Sequence, residues 1–341
     1  MKRLKIQLYF QSAISTSLQS DTLFGEFCWH YRFLYGEEKL KNLLGEKPAV
    51  VFSNGLPEGY LPMPIYPFGR NLNDVRLESG WCEAQEFYTS MKDFKKVTYV
   101  KKEVLENCIL KYPLKVVMEN LFEDFCKLKE EEEEEREKKE FNCIKEEKKD
   151  KNLEIFLKFD DVFKSKGITR VSIDRRSGEA LKGFLFQERS YYTEYPIVVY
   201  LLYDPERIER KEIEETFEFM GISGFGAKKS VGKGKFSCEF KEWDLKETTS
   251  GKGKLAFVSL STGYPKAEEI KDLYAEFFTK FPKHGREFGE AAIFKNPVVV
   301  AKQGSVFIPK EKKEFYGKFE RLSKNPEHLH SLHIIPYFVE L

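Results

Sequence analysis

Between residues 3 and 10 apolar side chains fall at every second position, Leu4, Ile6, Leu8 and Phe10, which predicts a strand with one buried face. A polar loop, QSAISTSLQSD, follows. Leu23, Phe24, Phe27, Cys28, Tyr31 and Leu34 then recur at three- and four-residue spacing. That period predicts an amphipathic helix, with Ser20 or Asp21 as its cap and Gly45 as its end. PAVVFSNG reads as a short buried strand stopped by Asn-Gly. The four prolines of LPEGYLPMPIYPFG call for an ordered loop or a sheet edge. KVTYVKKEVLENC reads as a strand and a short helix.

Pattern returns after residue 151. Ser177-Gly178 lies between two extended arms, so residues near 168–195 form a hairpin. PIVVYLLY is apolar throughout and predicts a central strand. The amphipathic segment DPERIERKEIEETFEFMGI predicts a helix opened by Asp204 and Pro205 and closed near Gly221. A glycine-lysine loop and the strand KFSCEF follow. Strand–helix–strand–strand–helix–strand order is ferredoxin-like. A second set begins at KLAFVSLSTG, a strand. KAEEIKDLYAEFFTKF is expected to be a helix, and NPVVVAKQGSVFIP and HIIPYFVEL strands. The polar, glycine-bearing stretch 246–253 divides the chain into 1–247 and 248–341. The class is therefore α+β, in two domains.

Charge changes this picture locally. The 341 residues carry 57 Lys and Arg against 56 Asp and Glu, a net charge of +1, which by itself favours no partner. However, residues 127–151 alone hold eleven acids and nine bases, and read as a solvated helix or a disordered insertion. Basic segments elsewhere are left unopposed. The plainest is GFGAKKSVGKGKF, residues 224–236, with four glycines, four lysines and no acid from Met220 to Cys238. It is not a Walker A loop, because five residues separate Gly226 from Gly232 and Gly234 follows Lys233. It is not a dinucleotide fingerprint either, because Lys229 stands at the third glycine position and the loop follows a helix. What remains is backbone contact with a polyanion. Glycines let peptide N–H groups approach phosphates, Lys228, Lys229, Lys233 and Lys235 supply charge, and Phe225 could stack on a base of single-stranded RNA.

Other chemistry is sparse. Six cysteines (Cys28, Cys82, Cys108, Cys126, Cys143, Cys238) form no CxxC pair, against a zinc knuckle or a disulfide framework. His328, His330 and His333 in HLHSLH have no adjoining Cys or carboxylate cluster, and a loop into the last strand explains them better than a metal. No run of about 18 apolar residues predicts a membrane span. The N-terminus, interrupted by Gln7 and Gln11, reads as a strand rather than a signal peptide, so a cytoplasmic protein is expected.

Four segments carry a resemblance: SDTLFGEFCW, VSIDRRSGEALKGFLF, GFGAKKSVGKGKF and KQGSVF, in that order over residues 20–307. Together they resemble the RAMP superfamily, in the branch of the fourth Csm subunits that cap the 5′ end in type III-A CRISPR effector complexes. The charged run 127–151 is outside that pattern. The resemblance implies two ferredoxin-like (RRM-like) domains, no catalysis, no cofactor and no metal. It implies partners: the 5′ tag of the guide crRNA, the large polymerase-like signature subunit, a backbone RAMP subunit, and target RNA through the guide duplex, with no membrane. By motif, Gly224, Phe225, Gly226, Lys228, Lys229, Ser230, Gly232, Lys233 and Lys235 would line the tag channel. Ser20 and Gly25 would adjoin it at a helix start that favours phosphate, while Asp21 would cap the helix. The hairpin would be a thumb, with Arg170, Arg175 and Arg176 on phosphates. Leu181, Phe184 and Phe186 would be the candidate wedges between base pairs, with packing against the body a readier alternative for Phe186 than for Leu181.

Two rivals compete. A CRISPR RNA-processing endonuclease would need a general base, for which His30 is the candidate. A protein-only scaffold would use the aromatic second domain, Tyr264, Tyr274, Phe277 and Phe278, whose helical spacing fits core packing equally well.

Overall fold

A computed structural model describes residues 1–45, 47–67, 84–142, 155–247, 253–284, 294–325 and 328–341; within these, nothing is stated for the side chains of 84–86, 130, 132–142, 181, 182 and 184. The first strand, β1 (Lys2–Phe10), has both faces covered at its centre. Leu4, Ile6 and Leu8 point into the core, as their alternation predicts. On the opposite face Lys5 and Gln7 are also buried, and polar partners compensate them: Lys5 Nζ lies 2.8 Å from Asp244, and Gln7 meets Glu58 and Lys241.

Helix α1 (Ser20–Tyr35) starts one residue earlier than a cap at Ser20 would place it. Gln19 is the N-cap and no side chain caps it, while Ser20 and Asp21 lie in the first turn. The helix breaks at Gly36, whose φ of 87° ends the regular backbone, and α2 (Glu37–Leu43) follows; the expected single helix to Gly45 is two. Next come β2 (Val50–Phe52), β3 (Leu56–Pro57) and β4 (Tyr60–Pro62). Beyond them lie α3 (Ala84–Phe94), β5 (Tyr99–Lys101), α4 (Lys102–Ile109) and α5 (Leu114–Asn142). Helix α5 packs through Leu114, Val117, Met118, Leu121, Phe122 and Cys126 before running into the charged segment, which is helical to Asn142; residues 143–151 of that segment lie outside the described ones. Then follow β6 (Phe156–Leu157), α6 (Phe159–Val162), β7 (Lys164–Ile173), β8 (Ala180–Tyr192), β9 (Ile197–Tyr203), α7 (Arg210–Ser223) and β10 (Phe236–Lys241).

The main sheet has the order β10-β1-β9-β2, all antiparallel, with β3 also on β9. The apolar run of β9 is buried at every residue, as a central strand should be. Helices α1 and α7 pack on one face through Phe27, Tyr31, Phe217 and Phe52. Helix α7 begins later than predicted. Asp204 instead accepts from the Glu206 N–H in a preceding turn, and a Glu209–Glu212 capping box opens the helix.

The second half holds β11 (Leu255–Ser259), β12 (Ile270–Tyr274), β13 (Phe277–Lys280), β14 (Val298–Ala301), β15 (Val306–Pro309), β16 (Phe319–Glu320), β17 (His330–Ser331) and β18 (Pro336–Glu340). Its larger sheet runs β12-β15-β11-β18. The helix expected over 266–281 is not there. A 3-10 turn at Ala267–Glu269 leads into β12 and β13, which pair with the apolar strands β15 and β14. Tertiary pairing overrides the helical propensity of the Glu, Lys and Ala residues. Phe277 consequently points outward and Phe278 inward, so the helical face read from Tyr274, Phe277 and Phe278 does not form. The boundary expected at 246–253 includes residues 248–252, which are outside the described ones. No helix among the described residues is long and apolar enough to cross a membrane.

Candidate nucleic-acid interface

The glycine-lysine segment joins α7 to β10. Gly224 ends α7 at φ 92°, its N–H bonded to Met220 O. The next residue turns inward: the Phe225 ring is 0% exposed, and its N–H donates to Gly234 O at 2.8 Å. Gly234, at φ 74°, sits so close that a Cβ would lie 2.2 Å from Phe225 O. Between these anchors the chain makes a short 3-10 turn, Lys229–Val231, flanked by Lys228 and Gly232 in the left-handed region. The loop of residues 11–19 braces it from outside. Thr16 Oγ1 accepts from the Ala227 N–H at 2.9 Å, Ser12 Oγ from the Lys235 N–H at 2.8 Å, and Ala13 O from the Gly234 N–H at 2.9 Å. Gly226 has no space for a side chain, since its Cβ would meet Thr16 at 2.6 Å.

This geometry corrects the reading of several residues. Phe225 is an internal plug, so its ring cannot stack on a base in this conformation. Lys233 is 6% exposed; its ammonium contacts Glu188 and lies 2.6 Å from Ser190 Oγ, both on β8. Lys229 is half-buried and pairs with Glu26 of α1 at 2.8 Å. The segment is acid-free in sequence, but carboxylates from α1 and β8 neutralise two of its four lysines. Lys228, Ser230, Gly232 and Lys235 remain exposed. So does Gly25, which has open space around it one residue before Glu26.

Ser20 does not face this surface. It is buried, its hydroxyl donating to Thr262 O at 2.8 Å and accepting from the Thr262 N–H at 3.0 Å, so a phosphate cannot reach it. Asn54 completes this seam between the halves, accepting from the Ser20 N–H and donating to Thr262 Oγ1 and Gln303 Oε1. Asp21 lies beside it as a buried carboxylate, 2.6 Å from Lys280 Nζ and 3.1 Å from His330 Nε2. Burial pushes its pKa up, but the hydrogen bond from His330 and the charge of Lys280 outweigh that and hold it at about 2.

The hairpin β7–β8 turns at Asp174–Glu179, where Asp174 accepts from the Arg176 N–H and Gly178 takes φ 73°. Its register pairs Arg170 with Phe186 and Val171 with Leu185, and shifts between Val171 and Ile173. Arg175 and Arg176 are exposed at the tip. Arg170 instead lies 2.6 Å from Glu188, the carboxylate that also takes Lys233. The hydrogen bond from Lys233, with added charge from Arg170, lowers the Glu188 pKa. Leu181 and Phe184 belong to β8, but their side chains lie outside the described ones. Sequence reasoning missed the exposed apolar groups Val171, Ile173 and Leu185, the last 69% exposed. Phe186 is 45% exposed rather than packed away.

The histidines have structural surroundings. His30 is buried; its Nδ1 lies 2.6 Å from Glu26 O and its Nε2 2.7 Å from Ser223 Oγ, which ties α1 to α7. Because a carbonyl only accepts, Nδ1 carries the proton, and Ser223 Oγ, which meets Nε2, also donates to Phe219 O at 2.9 Å. His330 faces Asp21, and burial lowers the His333 pKa to about 4. Among the described residues no group of three His, Cys, Asp or Glu is arranged to hold a metal.

No family model matches the chain, and no curated protein matches it either. Solved structures do. A chain of a Csm1–Csm4 cassette in complex with pppApA matches at 14% identity, covering 100% of this chain and 99% of its own, with a TM-score of 0.55. The cassette in complex with AMPPNP matches at 15%, with the same coverage and TM-score. A chain of the Csm3–Csm4 subcomplex of the type III-A CRISPR-Cas interference complex matches at 17%, covering 99% of each, with a TM-score of 0.54. From end to end, this chain is similar in fold to Csm4, the subunit common to these type III-A assemblies.

Proposed function

We propose that this chain is a non-catalytic, RNA-binding subunit of a type III-A CRISPR interference complex, which holds the 5′ repeat-derived tag of the guide crRNA. The observation that carries the reading is the fold likeness over the whole chain to the subunit shared by the Csm1–Csm4 and Csm3–Csm4 structures. The main sheet, in the order β10-β1-β9-β2 with two helices on one face, supports a ferredoxin-like first domain. In the second half the described residues hold a sheet but no such helix pair. Likeness to chains solved with Csm1 and with Csm3 supports assembly with a large signature subunit and a backbone subunit.

The tag-binding surface is narrower than the loop sequence suggests. Lys228 and Lys235 supply the free charge, Ser230, Gly232 and Gly25 the close backbone approach, and Lys229 joins if it releases Glu26. Lys233 holds the loop to the hairpin. That hairpin is the thumb of this reading. Arg175 and Arg176 stand at its tip for phosphates, and Leu185 and Ile173 join Leu181, Phe184 and Phe186 as candidates to wedge a guide–target duplex. The endonuclease reading gains nothing from His30, which is buried with both ring nitrogens engaged.

The test is binding of a 5′-tagged guide RNA across a salt series, with Lys228→Gln and Lys235→Gln combined. Each lost phosphate contact should reduce the log–log salt slope by about 0.7, so the double variant should flatten it by about 1.4. An unchanged slope in a folded variant would remove the loop from the interface. Incubation of the wild-type protein with repeat RNA should leave it uncut.

A further inference from the structure

We infer that the cleft beside the glycine loop is a pocket for one unstacked nucleobase of the strand that the loop holds. The cleft has a volume of about 450 Å³, within the few hundred Å³ typical of small-ligand sites. It opens between the two halves of the chain, with Ile14, residues 16–19, Thr98 and Gln303 on its walls.

Three observations point to a base. First, the cleft is walled by aromatic rings from three elements: Phe159 of α6, Tyr191 of β8 and Phe278 of β13. Phe159 lies stacked on Phe163 at 5.0 Å and edge-on to Tyr191 at 5.9 Å, yet 38% of it stays exposed. A ring supported behind and open in front is a stacking platform, which holds any base by its π-face. Second, the rim is basic. Lys95, Lys96 and Lys302 line it with one carboxylate, Glu276; Lys302 is paired with Glu276 and Lys96 with Asp93, whereas Lys95 has no ion-pair partner among the described residues. A phosphate flanking the base would meet Lys95. Third, the cleft is continuous with the glycine loop through one side chain. Thr16 lines the cleft, and its hydroxyl accepts from the Ala227 N–H. A strand whose phosphates lie along the loop therefore passes the mouth of the cleft within one residue's reach. Ser17, also on the wall and exposed, offers a hydroxyl to a base edge.

This inference rests on the RNA-binding reading above and adds a specific site to it. The probe is a set of tag RNAs, each carrying 2-aminopurine at a different position, bound by the wild-type protein. One position should show strong stacking quenching. Phe159→Ala and Ser17→Trp, the second filling the cleft from an exposed position, should each abolish that quenching and weaken tag binding about tenfold or more. An abasic tag at the same position should lower wild-type affinity to that of Phe159→Ala, and the variant should lose nothing further. If Lys228→Gln/Lys235→Gln weakens binding while Phe159→Ala and Ser17→Trp leave every tag unaffected, the pocket is overturned and the loop reading stands. If neither set matters, the RNA-binding reading itself fails. Titration with each nucleoside monophosphate separates the remaining source. Micromolar binding lost in Phe159→Ala, with tag affinity untouched, would assign the cleft to a free nucleotide and overturn the inference.

Discussion

Replacing Asp21 with Asn tests the seam on which the placement of the interface depends. The carboxylate is buried between the start of α1, Lys280 on β13 and His330 on β17, so it fastens the second half of the chain to the first. Its pKa falls from the usual 3.8 to about 2 on folding. At about 1.4 kcal/mol for each pKa unit, that depression is worth about 2 to 3 kcal/mol of stability. The sign follows from the direction. A group more acidic in the folded state stabilises fully above its unfolded pKa, and loses that contribution as pH falls through its folded pKa. The contribution is therefore intact at pH 6, about half gone by pH 3 and nearly gone below pH 2. Urea unfolding of wild type and Asp21→Asn at pH 6, 5, 4 and 3 should show a stability gap that narrows by about 1 kcal/mol towards pH 3. A gap of constant size would mean that Asp21 titrates normally and the seam is not ionic. A gap that widens on acidification would reverse the argument.

Three further outcomes follow from the loop. Gly234→Ala should cost about 3 kcal/mol or more, because its Cβ would strike Phe225 O in addition to the strain at φ 74°; Gly232→Ala, at φ 82° with open space, should cost about 1 to 2, and equal urea midpoints would refute the distinction. Lys228→Gly should raise the thermal midpoint, relieving a left-handed lysine at φ 67° worth about 1 kcal/mol, while lowering RNA affinity. Lys233→Met should speed hydrogen exchange across β7–β8 and leave β1 and β9 protected; uniform change or none would show that Lys233 does not hold the hairpin.

The first half was legible where one face of an element meets the core. The alternation of β1, the unbroken apolar run of β9 and the three–four spacing of α1 each leave a periodic trace, and the structure follows them. Residues 266–281 misled because Tyr274, Phe277 and Phe278 happen to fit a helical period, while their partners, β14 and β15, lie tens of residues downstream. Alternation over Phe277, Thr279 and Phe281 was the available signal for a strand. The loop's glycines and lysines could be read directly, but their neutralisation could not: Glu26 lies 203 residues from Lys229 and Glu188 lies 45 from Lys233. A locally acid-free window says nothing about charges that folding brings from afar.

The inward turn of Phe225 gives the glycine-lysine bend a keel. Its curvature is held by a ring in the core and by backbone contacts at Gly224, Gly226 and Gly234, none of which involves a charged group. Lys228, Ser230 and Lys235 are thus passengers on a frame that stands without them. Those three can be exchanged at little risk to foldability, whereas the hidden ring and its small neighbours are held fast.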